Sequence, residues 1–433
     1  MIDIKLIREK PELVKENIRK KFQNEKLVLV DEVKQKDEEW RKLKFQLDEL
    51  RKKRNEISKE INEAKKQKNE KLASELIQRA KQIPEEISKI EEKTKNLENE
   101  IRNIMYKIPN IIHHTVPIGK DSTQNVEIKK IGKPLTPKYE ILNHAELLEK
   151  LDGADFDTAR QISGKGFYFL KGKIAQLSAA LINLARDYMI KQNYEYIEPP
   201  IMIRKRVVDG VMSFSEIENM MYKIEGEDLY LIGTSEHSLI GMFMDKVLEK
   251  RSLPRKLTAF SPCFRKEIGA HGIDEKGVYR VHQFYKQEMV VICEPQDSYK
   301  FYEEMLNHTI NIFKMLEIPT RVLECCSGDL GDLKAKSCDV EAWSPRQKKY
   351  FEVGSLTNME EAQARRLNIK IKGPRGNYFA HTLNNTALAN SRALVALIEN
   401  HQKKDGSIKI PKSLWKYTKF KEIKIPKLQK NNI

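Results

Sequence analysis

Two short runs hold a dense set of groups that could do chemistry: Phe264-Arg265-Lys266-Glu267 and Tyr279-Arg280-Val281-His282-Gln283-Phe284. Read as two strand ends joined by a loop of glycines and charges, they put Arg265, Glu267, Arg280 and Phe284 on neighbouring strands, where alternate residues share a face. Such a face offers what a purine nucleotide needs. A guanidinium is a planar fork for phosphate oxygens, a carboxylate can accept from an exocyclic amine, and a phenyl ring can stack on a base. Taken singly, each residue reads as well as a surface ion pair or a core aromatic, so only the set carries weight. Neither G-x-x-x-x-G-K-[ST] nor G-x-G-x-x-G occurs, which excludes the usual glycine-loop nucleotide cradles. The five cysteines show no C-x-x-C pairing and are too few for a disulfide framework, so buried free thiols are expected.

The elements around these runs alternate irregularly. Strand-like runs are expected at 229–232, 278–284, 288–293, 321–324, 339–343 and 350–353, with helical spacing at 173–192, 235–249, 298–316 and 389–402. That order is not a regular β-α-β series, so the expected fold class is α+β with a mostly antiparallel sheet.

The N-terminal quarter is different in kind. From Val33 to Ile108 there is no glycine and one proline, Pro84. Apolar residues recur in heptad register through Val33, Trp40, Leu43, Leu47, Leu50, Ile57, Ile61 and Ala64, with the charged Arg54 standing in the 3–4 alternation between Leu50 and Ile57. They resume after a polar stretch from Leu76 through Ile83, Ile87, Leu97 and Ile104 to Ile108. Two such segments joined by a polar turn predict an antiparallel coiled-coil hairpin projecting from the body, with Val33 to Ala64 alone giving an arm of roughly 48 Å. Pro84 should break the returning helix near Ile83, leaving 72–82 as a separate tip helix. The expected layout is therefore an arm-bearing N-terminal domain over 1–110, a linker over 111–137, and a second domain over 138–433.

At 433 residues, with 79 Lys+Arg against 63 Asp+Glu, the chain carries a net charge of +16. That excess favours a polyanionic partner. No run approaches the length of about 20 apolar residues needed to span a bilayer. The opening MIDIKLIREKPELVKEN mixes acids and bases without an apolar core, so no membrane or targeting segment is expected and the location is read as cytoplasmic.

F-R-x-E followed by R-V-H-Q-F resembles motif 2 of the class II aminoacyl-tRNA synthetases, in the form found in seryl-tRNA synthetases. Other signatures follow in the family's order. The opening resembles its D-I-K-L-I-R-x-x-P-E start, Lys173 to Pro200 resembles motif 1, Leu231 to Glu236 resembles the serine-site T-x-E loop, and Leu383 to Ala389 with Arg392 resembles motif 3. The resemblance covers nearly the whole chain, arm included. It implies a class II catalytic domain behind a tRNA-binding arm, a homodimer formed through motif 1, and ligation of L-serine to tRNA(Ser) through a seryl-adenylate. It leaves open whether tRNA(Sec) is also served.

By the same resemblance, Arg265, Arg392 and Glu352 form the catalytic set. Arg265 holds the ATP α-phosphate within Arg265-Lys266-Glu267, Glu267 reads the adenine amino group, the Val281 backbone lies beside the base, and Phe284 stacks on it. Arg392 and Arg280 hold the β- and γ-phosphates, and Glu352-Val353-Gly354-Ser355 contacts ATP, with Glu352 and Ser355 carrying Mg²⁺. Thr234 and Glu236 receive the serine ammonium, with Ser235 between them in the serine-binding set, while Glu288 and Thr386, aided by Asn384, bind its hydroxyl. No zinc is expected, because no cysteine falls on a serine-site position. Glu361-Ala362 replaces the usual Asp-aromatic pair, a change expected to bear on the packing beneath Glu352. Two other readings stand beside this one: a synthetase-like regulator without catalysis, and a ligase charging a carrier protein. Retention of Arg265, Glu267, Glu352 and Arg392 argues against the first, and the basic arm against the second.

Overall fold

The structure, a computed structural model, describes residues 1–268 and 277–426. Residues 269–276, most of the loop expected between the two chemistry-bearing runs, and 427–433, the end of the second expected domain, lie outside the described residues. The chain forms two compact units, Ile2–Pro109 and the remainder from Asn110 onward together with Met1.

In the first unit, α1 (Ile4–Glu9) starts at Asp3, whose carboxylate accepts from the Lys5 amide at 2.9 Å, and α2 (Pro11–Lys20) starts on a proline. An N-cap acceptor and a proline at the first turn are efficient helix starts, because each deals with an otherwise unsatisfied amide. The arm is α3 (Leu27–Lys66), the tip helix α4 (Glu70–Ala80) and the return α5 (Ile83–Met105). Leu47, Ile57 and Ala64 of α3 pack with Ala73 and Leu76 of α4 and with Ile83 and Ile87 of α5. Lys36 pairs with Glu100 and Arg51 with Glu91, both at 2.7 Å. Numbers rising along α3 meet numbers falling along α5, so the pair is antiparallel as the heptads predicted. Pro84 stands in the first turn of α5, which is where the break falls.

The second unit is built on an eight-stranded sheet. Its strands are β1 (Val126–Ile131), β2 (Glu195–Ile197), β3 (Arg255–Phe264), β4 (Gln283–Cys293), β5 (Thr320–Glu324), β6 (Lys336–Ser344), β7 (Lys349–Glu360) and β8 (His381–Ala389). The order across the sheet is β1-β5-β6-β7-β8-β4-β3-β2, and every pairing is antiparallel except β2 with β3. Period-two burial separates the faces of β4. Met289, Val291 and Cys293 join the main core with helices α6 (Gly172–Lys191), α7 (Ser298–Met315) and α8 (Asn390–His401), whereas Val290 and Ile292 join a second apolar cluster with Ile232, Leu239 and Leu257. All five cysteines are buried and free, and all lie in this unit.

Three expectations differ from what is found. The 278–284 run is not a strand: the Arg265 amide donates to the His282 carbonyl at 2.9 Å and the His282 amide to the Gly166 carbonyl at 2.9 Å, which diverts the backbone from a ladder until Gln283. Arg265, Glu267 and Arg280 therefore sit just past the strand ends and not on them. The 235–249 helix is cut to Glu236–Gly241. Beyond it Asp245 takes a positive φ of 60° and donates its amide to the Leu367 carbonyl, and Val247–Leu248 pairs with Lys370–Ile371. The 111–137 stretch, expected as a linker, contributes edge strand β1, which pairs with β5.

Candidate active site

Two adjoining cavities open on the face of the sheet that carries Phe284, Lys286 and Glu288. The smaller, about 60 Å³, is lined by Arg265, Glu267, Arg280, Val281, Phe284 and Arg392, with Glu352, Val353, Gly354 and Thr386 on its wall. The larger, about 650 Å³, holds Thr234, Glu236, Ser355 and Asn384, and shares Arg265, Glu352 and Thr386 with the first. Of the residues expected to bind ligands, Ser235, Lys266 and Glu288 line neither. Ser235 is buried, with its hydroxyl aimed at the Ala259 carbonyl at 3.5 Å, and Lys266 engages Met220 through its backbone.

The nucleotide-like wall is held by backbone and ring contacts. Arg265 Nε donates to the Gly233 carbonyl at 3.1 Å, and its guanidinium lies 5.4 Å from the Phe284 ring centre. His282 Nδ1 lies 2.9 Å from the Arg265 carbonyl, and a side chain at Gly166 (φ +79°) would strike the His282 ring. Arg280 Nε stands 4.0 Å from a Glu267 oxygen. Arg392 reaches Glu352 twice, through its carboxylate at 2.9 Å and its carbonyl at 3.2 Å. Burial would raise the Glu352 carboxyl, but Arg392, with Arg265 and Lys334, outweighs it and holds the group below its ordinary value.

Glu352 and Ser355 are three residues apart on β7, a spacing that puts strand residues on opposite faces. Pairing with β6 passes from Gly354 opposite Val340 to Glu352 opposite Glu341, so Val353 is an extra residue, a β-bulge. The bulge turns both side chains toward the larger cavity. Opposite Ser355 lies Asp339, whose carboxyl burial and the nearby Glu352 raise to about 7.

The side of the larger cavity formed by Thr234 and Glu236 is backed by buried acids. Glu288 is fully buried. One of its oxygens accepts from the Thr234 hydroxyl at 2.8 Å and pairs with Lys286, while its Oε1 has no hydrogen-bond partner. Asn384 Oδ1 is likewise unpartnered. Glu236 is raised to about 7, first by burial and then by Glu288, and accepts from Gln363 Nε2 at 2.8 Å. Gln363 Oε1 in turn accepts from Thr382 at 2.7 Å. Gln363, the neighbour of the Glu361-Ala362 departure, thus contacts Glu236, while Ala362 itself packs against Leu333 and Met359.

Lys286, Gln363 and Asp339 were not singled out from the sequence. Lys286 lies between Phe284 and Glu288 at strand parity, so that signal was present. Gln363 and Asp339 reach the site only through the folding of distant segments.

A family model described as "Seryl-tRNA synthetase N-terminal domain" matches residues 1–112, and "tRNA synthetase class II core domain (G, H, P, S and T)" matches 220–401. A serine–tRNA ligase of Methanocella arvoryzae is 44% identical, covering 96% of this chain and 98% of the relative. One from Pyrococcus furiosus is 43% identical, with 98% and 97% covered. The crystal structure of seryl-tRNA synthetase from Pyrococcus horikoshii complexed with ATP superposes with a TM-score of 0.92 at 42% identity, covering 99% of this chain and 100% of that one. With both family models matched in place and full-length relatives at 43–44% identity, the chain belongs to the seryl-tRNA synthetase family.

Proposed function

We propose that this chain is an ATP-dependent serine–tRNA ligase that forms seryl-adenylate and transfers the seryl group to tRNA(Ser), with release of diphosphate and AMP. The observation that carries the reading is a buried acceptor set: Glu236 and Asn384, whose Oδ1 has no partner, line the cavity that Arg265 also lines, and Glu288, with Oε1 unpartnered, accepts from the Thr234 hydroxyl of that wall. A small ligand with a hydroxyl and an ammonium satisfies those acceptors, and its carboxylate then faces the arginine that would hold the α-phosphate.

In the first step a serine carboxylate oxygen bonds to the α-phosphorus, the bond to the bridging oxygen breaks, and diphosphate leaves. No side chain acts as nucleophile. Arg265, Arg280 and Arg392 supply fixed positive charge where phosphoryl charge develops, so catalysis is positioning plus electrostatics. Glu352, kept ionised beside Arg392, and the Ser355 hydroxyl are hard oxygen donors on one face and would hold Mg²⁺, which when bound neutralises phosphate charge. Glu267 and Phe284 take the adenine, and Thr234 helps Glu236 with the ammonium.

Selection against alanine follows from Glu288 and Thr386. A site that hydrogen-bonds a hydroxyl leaves buried polar groups unpaired when the hydroxyl is missing, which can reach about 10⁴-fold. The N-terminal unit is read as the tRNA-binding domain, the unit from Asn110 onward as catalytic, the assembly as a homodimer, and the location as cytoplasmic. Among the described residues no helix is long and apolar enough to cross a membrane. ATP–pyrophosphate exchange with serine, alanine and threonine, run with and without tRNA, tests the proposal. Serine-dependent exchange and tRNA charging are expected; exchange driven equally by alanine would overturn the assignment of the hydroxyl site.

A further inference from the structure

The larger cavity is far bigger than a serine molecule, and one cation on its wall has no assigned use. Pockets of about 300–1,000 Å³ take ligands of many more atoms than an amino acid, and this one measures about 650 Å³. Lys334 lines it, along with Glu216, Cys325, Asp329 and Asp339, in the part not shared with the nucleotide-like cavity. Among the described residues its ammonium makes no hydrogen bond and no ion pair within 4 Å, unlike Lys286, which is paired with Glu288. The cation is nonetheless firmly charged. Burial would lower it, but neighbouring acids, Asp339, Glu216 and Glu352 among them, favour the charged form, and the group stands above the ordinary lysine value.

A partly buried, charged and unpaired ammonium is the signature of a site waiting for an anion. Arg265, Arg280 and Arg392 already meet the triphosphate, and the serine carboxylate is drawn to Arg265. What remains is the second substrate. On its far side the cavity reaches Ser122, Asn125 and Arg321, leaving room beyond the serine pocket for a nucleotide.

Resting on the reading above, we propose that Lys334 is a positioning residue for the transfer step, receiving the phosphate of the 3′-terminal nucleotide of tRNA. In that step the terminal ribose hydroxyl oxygen bonds to the seryl carbonyl carbon and the acyl–phosphate bond breaks. AMP departs, and the hydroxyl proton ends on its phosphate. Lys334 touches none of these atoms; it fixes the nucleotide that carries the attacking oxygen, and effective concentration follows from that placement.

The test separates the two half-reactions in the full-length protein. Serine-dependent pyrophosphate exchange and single-turnover transfer from enzyme-bound seryl-adenylate are measured for wild type, Lys334→Met and Lys334→Arg. A charge-assisted phosphate contact should make transfer by Lys334→Met fall at least about tenfold further than exchange, with Lys334→Arg restoring most of it. A tRNA whose last phosphodiester is replaced by an uncharged methylphosphonate should slow wild-type transfer similarly and add little to the loss in Lys334→Met. Equal loss of both half-reactions, a raised serine KM with transfer intact, or a wild type indifferent to the methylphosphonate would each overturn the proposal. The methylphosphonate arm stands even if Lys334→Met folds poorly. A wild type without serine-dependent exchange would instead overturn the parent reading.

Discussion

At the scale of single residues, the candidate site is a set of charges whose balance a bound substrate would shift. Arg265 is pinned by Gly233 and lies near Phe284, so its guanidinium is already oriented in the free protein. Arg265→Ala should cost about 2.7–4 kcal/mol of transition-state stabilisation, roughly 10²–10³-fold in serine-dependent exchange, with tRNA binding measured by filter retention nearly intact. Glu236 gives a pH signature. In the free protein burial and then Glu288 favour its neutral form, giving a value of about 7, whereas a bound ammonium favours the carboxylate. Serine binding should therefore expel a proton just below pH 7, and affinity should weaken as pH falls through that value. Calorimetry in buffers of different ionisation enthalpy should detect the released proton, and Glu236→Gln should abolish it. Residue types and motif order made most of this site legible in the sequence, because Phe284 and Glu288 advertise a shared face. Ser235 and Lys266 were read in by adjacency within a motif, yet one points into the core and the other engages through its backbone.

At the scale of elements, patterns with a fixed period were readable and departures from period were not. Heptads gave α3 and α5, and the lone proline gave their break, since each rests on local geometry alone. The β7 bulge at Val353 leaves no trace in hydrophobic alternation, yet it is what sets Glu352 and Ser355 side by side. Edge strand β1 was hidden for a related reason: its residues are mostly exposed, so burial leaves no alternating stripe to read. The arm's core is thin, and that makes it locally fragile. Leu47 is 2% exposed within the apolar cluster of α3, α4 and α5. Leu47→Ala should cost about 2–5 kcal/mol locally. Hydrogen exchange should accelerate across Leu27–Met105 while protection of the sheet from Asn110 onward is retained; uniform acceleration would mean that the two units unfold together.

At the scale of the whole molecule, two surfaces are candidates for partner binding. Ala175, Ala179 and Ile182 of α6 line a largely apolar groove of about 610 Å³ with Ile162, Phe167 and Phe260. A second copy of the chain is the occupant expected from motif 1, and an isologous contact suits a two-fold dimer. Sedimentation equilibrium should give a dimer at micromolar concentration and a monomer for Ile182→Asp. On the arm, Lys52, Lys53 and Arg54 are exposed while Arg51 is engaged with Glu91. Replacing these three with glutamate should weaken tRNA binding and flatten its salt dependence, by about 0.7–0.9 in log–log slope for each phosphate no longer neutralised. The cysteines described with the fold bear on how such a surface can be mapped. All five are buried, and burial pushes the Cys293 and Cys338 thiols up to about 12 and raises those of Cys263 and Cys325 as well. To an alkylating dye the native chain is thus nearly silent, and the arm contains no sulfhydryl of its own. A cysteine substituted at Lys53 would be the one readily labelled position, so a fluorophore or photocrosslinker can be mounted on the arm without first rebuilding the interior of the protein.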